Sequence, residues 1–134
     1  MNRAEAEEFL RTHRQVVLGT IKEDGRPHLT SVLGVYDEGR ILISITETRV
    51  KYRHLRRDPR ATALFLGDNF WQYLVVEGTA TLTHLPEAAS ALRHYYELAS
   101  GGPHPNWDEY DRAMVGERRV LLSLSIDHIY PLDR

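Results

Sequence analysis

The chain has 134 residues, of which 42% are hydrophobic and 27% charged, a composition that is typical of a globular protein and excludes disordered and fibrous classes. The formal net charge of -2 gives no strongly basic surface, so we expect no nucleic-acid partner. The chain contains no cysteine, which excludes disulfides and thiolate metal sites within it and fits a cytoplasmic protein.

The N-terminal part of the chain predicts a short helix followed by a three-stranded antiparallel meander. Hairpin turns are indicated by Asp24-Gly25 and by the segment from Asp37 to Gly39, because these residue types adopt the backbone conformations that tight turns need. β-Branched residues dominate the segments between the turns, as is typical of strands. The predicted elements are a helix over residues 4–13 and strands over 15–21, 28–36 and 40–46.

The remaining chain predicts three helices and three further strands. The predicted helices cover residues 48–57, 86–99 and 106–117. The predicted strands cover 61–66, 70–83 and 120–126, and the last of these runs on toward Tyr130. Thr48 and Asn106 are the expected N-caps of the first and last of these helices, and Gly78 predicts a bulge or bend in its strand. Six strands with few helices predict a mainly β fold, a single barrel domain with flanking helices over residues 1–134. Because a small barrel is filled by its own side chains, we expect any ligand outside it or between two subunits.

The segment from Thr46 to Arg60 contains six basic and two acidic residues. It lies where a predicted strand ends and a predicted helix begins. Arg49 and Lys51 stand close to the helix N-terminus, where a cation is unfavourable for the helix alone and where free backbone N–H groups favour an anion. A bound phosphate would offset that cost, because Arg49 can hold two phosphate oxygens and Lys51 adds a point charge. These residues predict a phosphate site, with a solvated basic helix face or a nucleic-acid surface as the alternatives.

Other residues predict no further chemistry. The seven histidines are scattered without helix-face metal spacing, so we expect no metal site. The chain contains neither Gly-x-Ser-x-Gly nor His-Glu-x-x-His, and the catalytic residues therefore stay unassigned. Tyr95, Tyr96 and Trp107 are expected to pack their helices. No segment approaches the roughly 20 apolar residues of a membrane helix, so we expect no membrane association.

Five segments in this order resemble the pyridoxamine-phosphate-oxidase-like split-barrel superfamily. The segments Val17–Ser31, Thr48–Lys51 and Arg56–Arg60 resemble the superfamily as a whole. The segments Phe70–Ala80 and Ala113–Leu122 are similar to those of its actinobacterial branch, whose members use the deazaflavin coenzyme F420. These segments are distributed from Val17 to Leu122, so the resemblance covers nearly the whole chain.

The resemblance implies a six-stranded antiparallel split barrel of the FMN-binding type, a homodimer, and a cofactor in the groove between the subunits. The cofactor that the resemblance implies is coenzyme F420, with FMN as the alternative. The implied cofactor-binding residues are His28, Leu29, Thr30, Ser44, Ile45, Thr46, Arg49, Lys51 and Trp71. Arg49 and Lys51 are implied to bind the phosphate, residues 28–30 and 44–46 to lie along the ring and ribityl chain, and Trp71 to approach from the other subunit.

The implied function is hydride transfer between F420 and an unsaturated or quinone-like small molecule. Val50 separates Arg49 from Lys51 as in the deazaflavin branch, whereas the FMN-dependent relatives commonly have adjacent arginine and lysine. His28 stands where many relatives have glutamine, which changes the hydrogen bond that this position can offer. The alternatives are an FMN-dependent enzyme, a non-catalytic F420 carrier, and a haem protein with His28 or His54 as axial ligand.

Overall fold

The computed structural model describes residues 1–133, which form four helices and eight strands. The helices are α1 (Arg3–Thr12), α2 (Val50–Arg57), α3 (Ala89–Ser100) and α4 (Trp107–Gly116). The strands are β1 (Gln15–Ile21), β2 (Pro27–Leu33), β3 (Val35–Asp37), β4 (Arg40–Thr46), β5 (Arg60–Leu66), β6 (Tyr73–Thr83), β7 (Arg119–Ser125) and β8 (His128–Tyr130). None of the four helices is both long and apolar enough to cross a membrane.

The strands form an antiparallel sheet that curves back on itself. Their order is β2-β1-β5-β6-β7-β4-β3, and β8 pairs with β6. The strands at the two ends of this order, β2 and β3, are consecutive in the chain and are joined at Gly34. The sheet therefore nearly closes, which confirms the predicted mainly β split barrel with flanking helices.

The strand count is eight rather than the predicted six, because two predicted strands are each interrupted. At Gly34 the chain stops pairing with β1 and starts pairing with β4. The backbone N–H of Gly34 donates to the carbonyl of Arg14 at 2.9 Å. A Cβ atom at Gly34 would lie only 2.9 Å from Cγ2 of Val16, so a side chain there would collide with the core. The last predicted strand is likewise divided, into β7 and β8.

Gly78 allows two backbones to approach closely. A Cβ atom at this position would lie 1.8 Å from the carbonyl oxygen of Ser125, which no residue with a side chain could tolerate. The register of β6 with β5 continues through Gly78 without an inserted residue. The predicted bulge is therefore absent from this pairing, and the glycine instead lets β6 pass from β5 to β7, with which it pairs from Ala80 onward.

The helix starts differ from the sequence predictions at two of three positions. Asn106 caps α4 as predicted, since its side chain accepts from the backbone N–H of Glu109 at 3.1 Å. The predicted N-cap Thr48 is wrong, because α2 begins at Val50 with Arg49 as an N-cap that makes no side-chain hydrogen bond. Helix α3 begins at Ala89 rather than at residue 86, since residues 84–88 form turns first.

Two apolar clusters lie on opposite faces of β4 and β7. Inside the barrel, alternate residues of both strands such as Ile43 and Leu122 are fully buried. On the outer face, Leu42 and Leu121 pack against Leu92 of α3 and against α4. Because both faces of these strands are covered, α3 and α4 are held beside the C-terminal end of β4.

Candidate functional site

A groove of about 1550 Å³ runs between β2, the end of β4, the start of α2 and the α3–α4 pair. Seven of the nine predicted site residues line it: His28, Thr30, Ser44, Ile45, Thr46, Arg49 and Lys51. The fold thus brings together residues from three separate elements. Leu29 and Trp71 do not line it.

Strand alternation explains the position of Leu29. Successive side chains of a strand point to opposite faces, so His28 and Thr30 face the groove while Leu29 faces the other way. Leu29 lies opposite Gly19 of β1 in the register, and 63% of it is exposed. The predicted block of three consecutive residues therefore divides between two surfaces.

Trp71 lies in a turn rather than in the predicted strand over residues 70–83. The side chain of Asn69 accepts from the backbone N–H of Trp71 at 2.9 Å, and the carbonyl of Gln72 accepts from Gly67 at 2.8 Å. These bonds keep residues 70–72 out of β6. Trp71 is 82% exposed, and its ring meets the similarly exposed ring of Phe70 edge to face.

Arg49 and Lys51 form a positive corner of the groove at the start of α2. The Nζ of Lys51 donates to Oγ1 of Thr30 on β2 at 3.1 Å. Partial burial lowers the pKa of Lys51, and the charges of Arg49 and then Arg119 lower it further. Burial is the larger cause of this lowered pKa and the neighbouring cations are the smaller one, and a bound anion would offset the repulsion among these cations.

No carboxylate within residues 1–133 forms an ion pair with Arg49 or Lys51. Nearby acids are paired elsewhere: Glu47 with Arg118, and Glu117 with Arg119. The first turn of α2 contains no acidic residue. This donor set fits the phosphate of a flavin-type cofactor, because phosphate supplies the missing negative charge and several acceptor oxygens.

Arg119 is a groove residue that sequence reasoning missed. Its Nη1 lies 3.4 Å from the carbonyl oxygen of Ser44, and it pairs with Glu117. Strand β7 carries it opposite Thr46 in the register of β4. Only a prediction that β4 pairs with β7 could have placed Arg119 beside the predicted site.

A pair of histidines lies behind the same wall. The rings of His28 and His54 meet edge to face with centroids 5.1 Å apart. His54 is 8% exposed, and its Nδ1 lies 2.9 Å from Oγ1 of Thr20. Burial lowers the pKa of His54, and the facing His28 lowers it further. A neutral ring is therefore favoured at His54 in the free protein.

The opposite wall of the groove is aromatic. Tyr95 and Tyr96, expected only to pack their helix, line the groove together with Tyr110. The hydroxyl of Tyr95 donates to the carbonyl of Leu33 at 2.8 Å, and burial raises its pKa. Tyr110 donates to the carbonyl of Leu92 at 2.7 Å, and burial raises its pKa to about 12. Both phenols are therefore neutral near pH 7.

Trp107 packs within this helical pair, as predicted. Its ring lies against Tyr96 and Tyr110, and the guanidinium of Arg93 lies 5.0 Å from its centroid. Arg93 is held in place by Asp111. Trp107 is absent from the residues that line the groove, so it supports the aromatic wall from behind.

The groove continues over the edge of β2 onto an apolar outer face of the sheet. The strand register places large exposed side chains of β2, β5, β6 and β8 on this one face. They are Leu29, Leu33, Leu66, Tyr73 and Tyr130. Leu33 and Leu66 also line the groove, so the groove and the apolar face form one continuous surface.

Comparison with solved structures finds the same fold in proteins of several bacteria. A conserved hypothetical protein from Mycobacterium tuberculosis is 28% identical, with a TM-score of 0.80 over 96% of this chain and 82% of that one. A structure described as an F420 reductase is 21% identical, with a TM-score of 0.72 over 92% and 94% of the two chains. A FAD-binding protein from Mesorhizobium loti is 15% identical, with a TM-score of 0.69 over 96% and 92%.

Comparison with protein families extends the likeness along nearly the whole chain. Residues 3–133 match the family described as pyridoxamine 5'-phosphate oxidase. That match includes the positive corner, the β2 wall and the α3–α4 pair. The chain belongs to the pyridoxamine 5'-phosphate oxidase family.

Proposed function

We propose that this protein is an F420H2-dependent oxidoreductase that reduces an unsaturated or quinone-like small molecule, and that it works as a cytoplasmic homodimer. The observation that carries the proposal is the positive corner at Arg49 and Lys51, which lines a large groove without a carboxylate to balance it. The spacing of these two residues around Val50 and the fold shared with an F420 reductase support a deazaflavin over FMN.

The corner would hold the cofactor phosphate. Arg49 is exposed and can bind two phosphate oxygens, while Lys51 is fixed by its bond to Thr30 and adds a point charge. At the start of α2 the backbone N–H groups of Arg49 and Tyr52 have backbone acceptors, which leaves those of Val50 and Lys51 as the donors that a helix start offers. A phosphate there would therefore meet donors from both side chains and the helix end.

The rest of the groove suits a planar ring. Ser44, Ile45 and Thr46 offer the end of β4, and His28 offers a ring nitrogen from β2. A bound deazaflavin would supply a hydride, and the protein's part is to orient it and exclude water. The tyrosines of α3 and α4 would cover the open ring face, where an apolar conjugated substrate could stack.

A second copy of the chain is the partner we propose for the apolar outer face. That face exposes Leu29, Leu33 and Tyr73, and the groove runs onto it. Burying it against a second copy would remove apolar surface from water. The exposed turn with Phe70 and Trp71 could then reach the groove of the second copy, in the role that the family resemblance implies for Trp71.

FMN is the alternative cofactor, because the same corner fits the phosphate of any flavin-type molecule. A non-catalytic F420-binding protein would also need the same groove. We therefore separate binding from turnover in the test.

The test is a fluorescence titration of the purified protein with F420 and with FMN in parallel. We expect tight F420 binding and weaker FMN binding, followed by oxidation of F420H2 when quinone-like substrates are added. Preference for FMN would contradict the deazaflavin assignment. Tight F420 binding without turnover of any substrate class would favour a carrier, and binding of neither cofactor would contradict the site itself.

A further inference from the structure

Helix α2 and strand β2 meet through two neighbouring side-chain pairs. Lys51 donates to Thr30, and His54 lies edge to face with His28. Residues two apart share one face of a strand, and residues three apart share one face of a helix. The anion-binding lysine and the histidine pair therefore form one continuous layer, in which an anion at Lys51 lies one helical turn from His54.

One histidine of the pair lines the groove, and the other is buried. His28 lines the groove, whereas His54 is buried with its Nδ1 against the hydroxyl of Thr20. A hydroxyl can donate to a neutral imidazole or accept from a protonated one. Thr20 can therefore satisfy Nδ1 of His54 in either charge state by rotation of its hydrogen alone.

Within residues 1–133, the charged side chains that act on His54 are basic. They are Lys22 of the β1–β2 turn and Arg53 and Arg57 of α2, together with Lys51 in the same layer. The histidine–carboxylate ion pairs within residues 1–133 involve only His13 and His94. A proton on His54 is therefore disfavoured in the free protein by burial first and then by the neighbouring positive charges, and no carboxylate within residues 1–133 pairs with it.

We propose that binding of an anionic cofactor in the groove is coupled to uptake of one proton by the His28–His54 pair. The inference rests on the proposed function, since it needs an anion at Arg49 and Lys51. That anion offsets the surrounding positive charge, so the pair holds a proton more tightly in the complex than in the free protein. By linkage, the cofactor then binds more tightly at low pH, and its affinity falls as the pH rises through the pKa of the complex.

The experiment measures the Kd of F420 and of FMN between about pH 6 and pH 8, the range in which histidine titrates. For the wild-type protein we expect Kd to increase at least about fivefold over this range. His54→Asn keeps a polar atom beside Thr20 but cannot take up the proton, and His28→Gln removes the other ring. Both variants should show less than about half of that change.

The matched control is His94→Gln, since His94 is an exposed histidine that pairs with Asp37 outside the groove. It should keep the wild-type pH dependence. Any titration of the cofactor phosphate is common to all the proteins, so the difference between variants isolates the histidine pair.

Calorimetry of the wild-type protein in two buffers of different ionisation enthalpy counts the protons directly, even where a variant fails to fold. Uptake of about one proton near pH 7 is expected. Binding without proton uptake, or with equal pH dependence in His54→Asn, would overturn the coupling alone. Absence of F420 and FMN binding at every pH would overturn both the coupling and the proposed function.

Discussion

Helices α2 and α4 both border the groove, but only α4 has an N-terminus that is capped and balanced by its own residues. Helix α4 is capped by the side chain of Asn106 and carries Asp108 and Glu109 in its first turn. Helix α2 has no side-chain cap and no acid in its first turn, and instead places Arg49 and Lys51 there. The positive end of α4 is satisfied by its own residues, whereas that of α2 is left for another group.

This difference separates residues that stabilise the fold from residues that serve a ligand. Acids and a polar N-cap at a helix start are worth tenths of a kcal/mol to about 2 kcal/mol each. Helix α2 forgoes both contributions and accepts repulsion between Arg49, Lys51 and Arg119. A local rule that is broken where a groove opens indicates function, because the cost is recovered when a ligand binds.

The largest loss of cofactor affinity is expected when both cations at the N-terminus of α2 are removed. Arg49→Ala combined with Lys51→Ala should weaken cofactor binding at least tenfold, equivalent to about 1.4 kcal/mol, without loss of the fold. Fluorescence titration measures the affinity, and circular dichroism checks the fold. The control is Arg56→Ala with Arg112→Ala, which removes two exposed charges outside the groove. Equal cofactor affinity in the two double variants would show that Arg49 and Lys51 do not bind the phosphate.

Local patterns predicted the positive corner, because a basic segment directly after a strand is visible in the sequence. The same patterns predicted the strands and the N-cap Asn106. They could not predict the break at Gly34, since its cause is contact with Val16, eighteen positions earlier in the chain. Nor could they predict that Arg119 enters the groove, since that depends on the pairing of β7 with β4.

The two walls of the groove also differ in how far their residues could be predicted from the sequence. His28 and Thr30 could be assigned from resemblance and strand alternation, because both depend on short segments. The placement of Tyr95 against Leu33 and the contact of His54 with His28 both join residues far apart in the sequence. Trp71 does not line the groove, so a second copy of the chain is needed to test its predicted role.

A smaller effect is expected from removing the cap of α4. Asn106→Ala loses the hydrogen bond to the N–H of Glu109, which should lower the free energy of unfolding by about 1 kcal/mol. Cofactor affinity should change less than about twofold, because Asn106 does not line the groove. Urea unfolding and titration measure the two quantities. A loss of affinity as large as that of the Arg49 and Lys51 double variant would mean that the α4 terminus, too, serves the ligand.

The smallest and most diagnostic effect is expected from giving α2 the cap that it lacks. Arg49 has the extended backbone of an N-cap, so Arg49→Asn can accept a hydrogen bond from the first helical turn. We expect the free protein to gain about 0.5 kcal/mol of stability while its cofactor affinity falls. Opposite signs would arise because the substitution relieves charge crowding and removes a phosphate ligand at once. In contrast, Arg56→Asn on the same helix should leave affinity unchanged, because Arg56 lies outside the groove. A parallel loss of stability and affinity in Arg49→Asn would make Arg49 a structural residue.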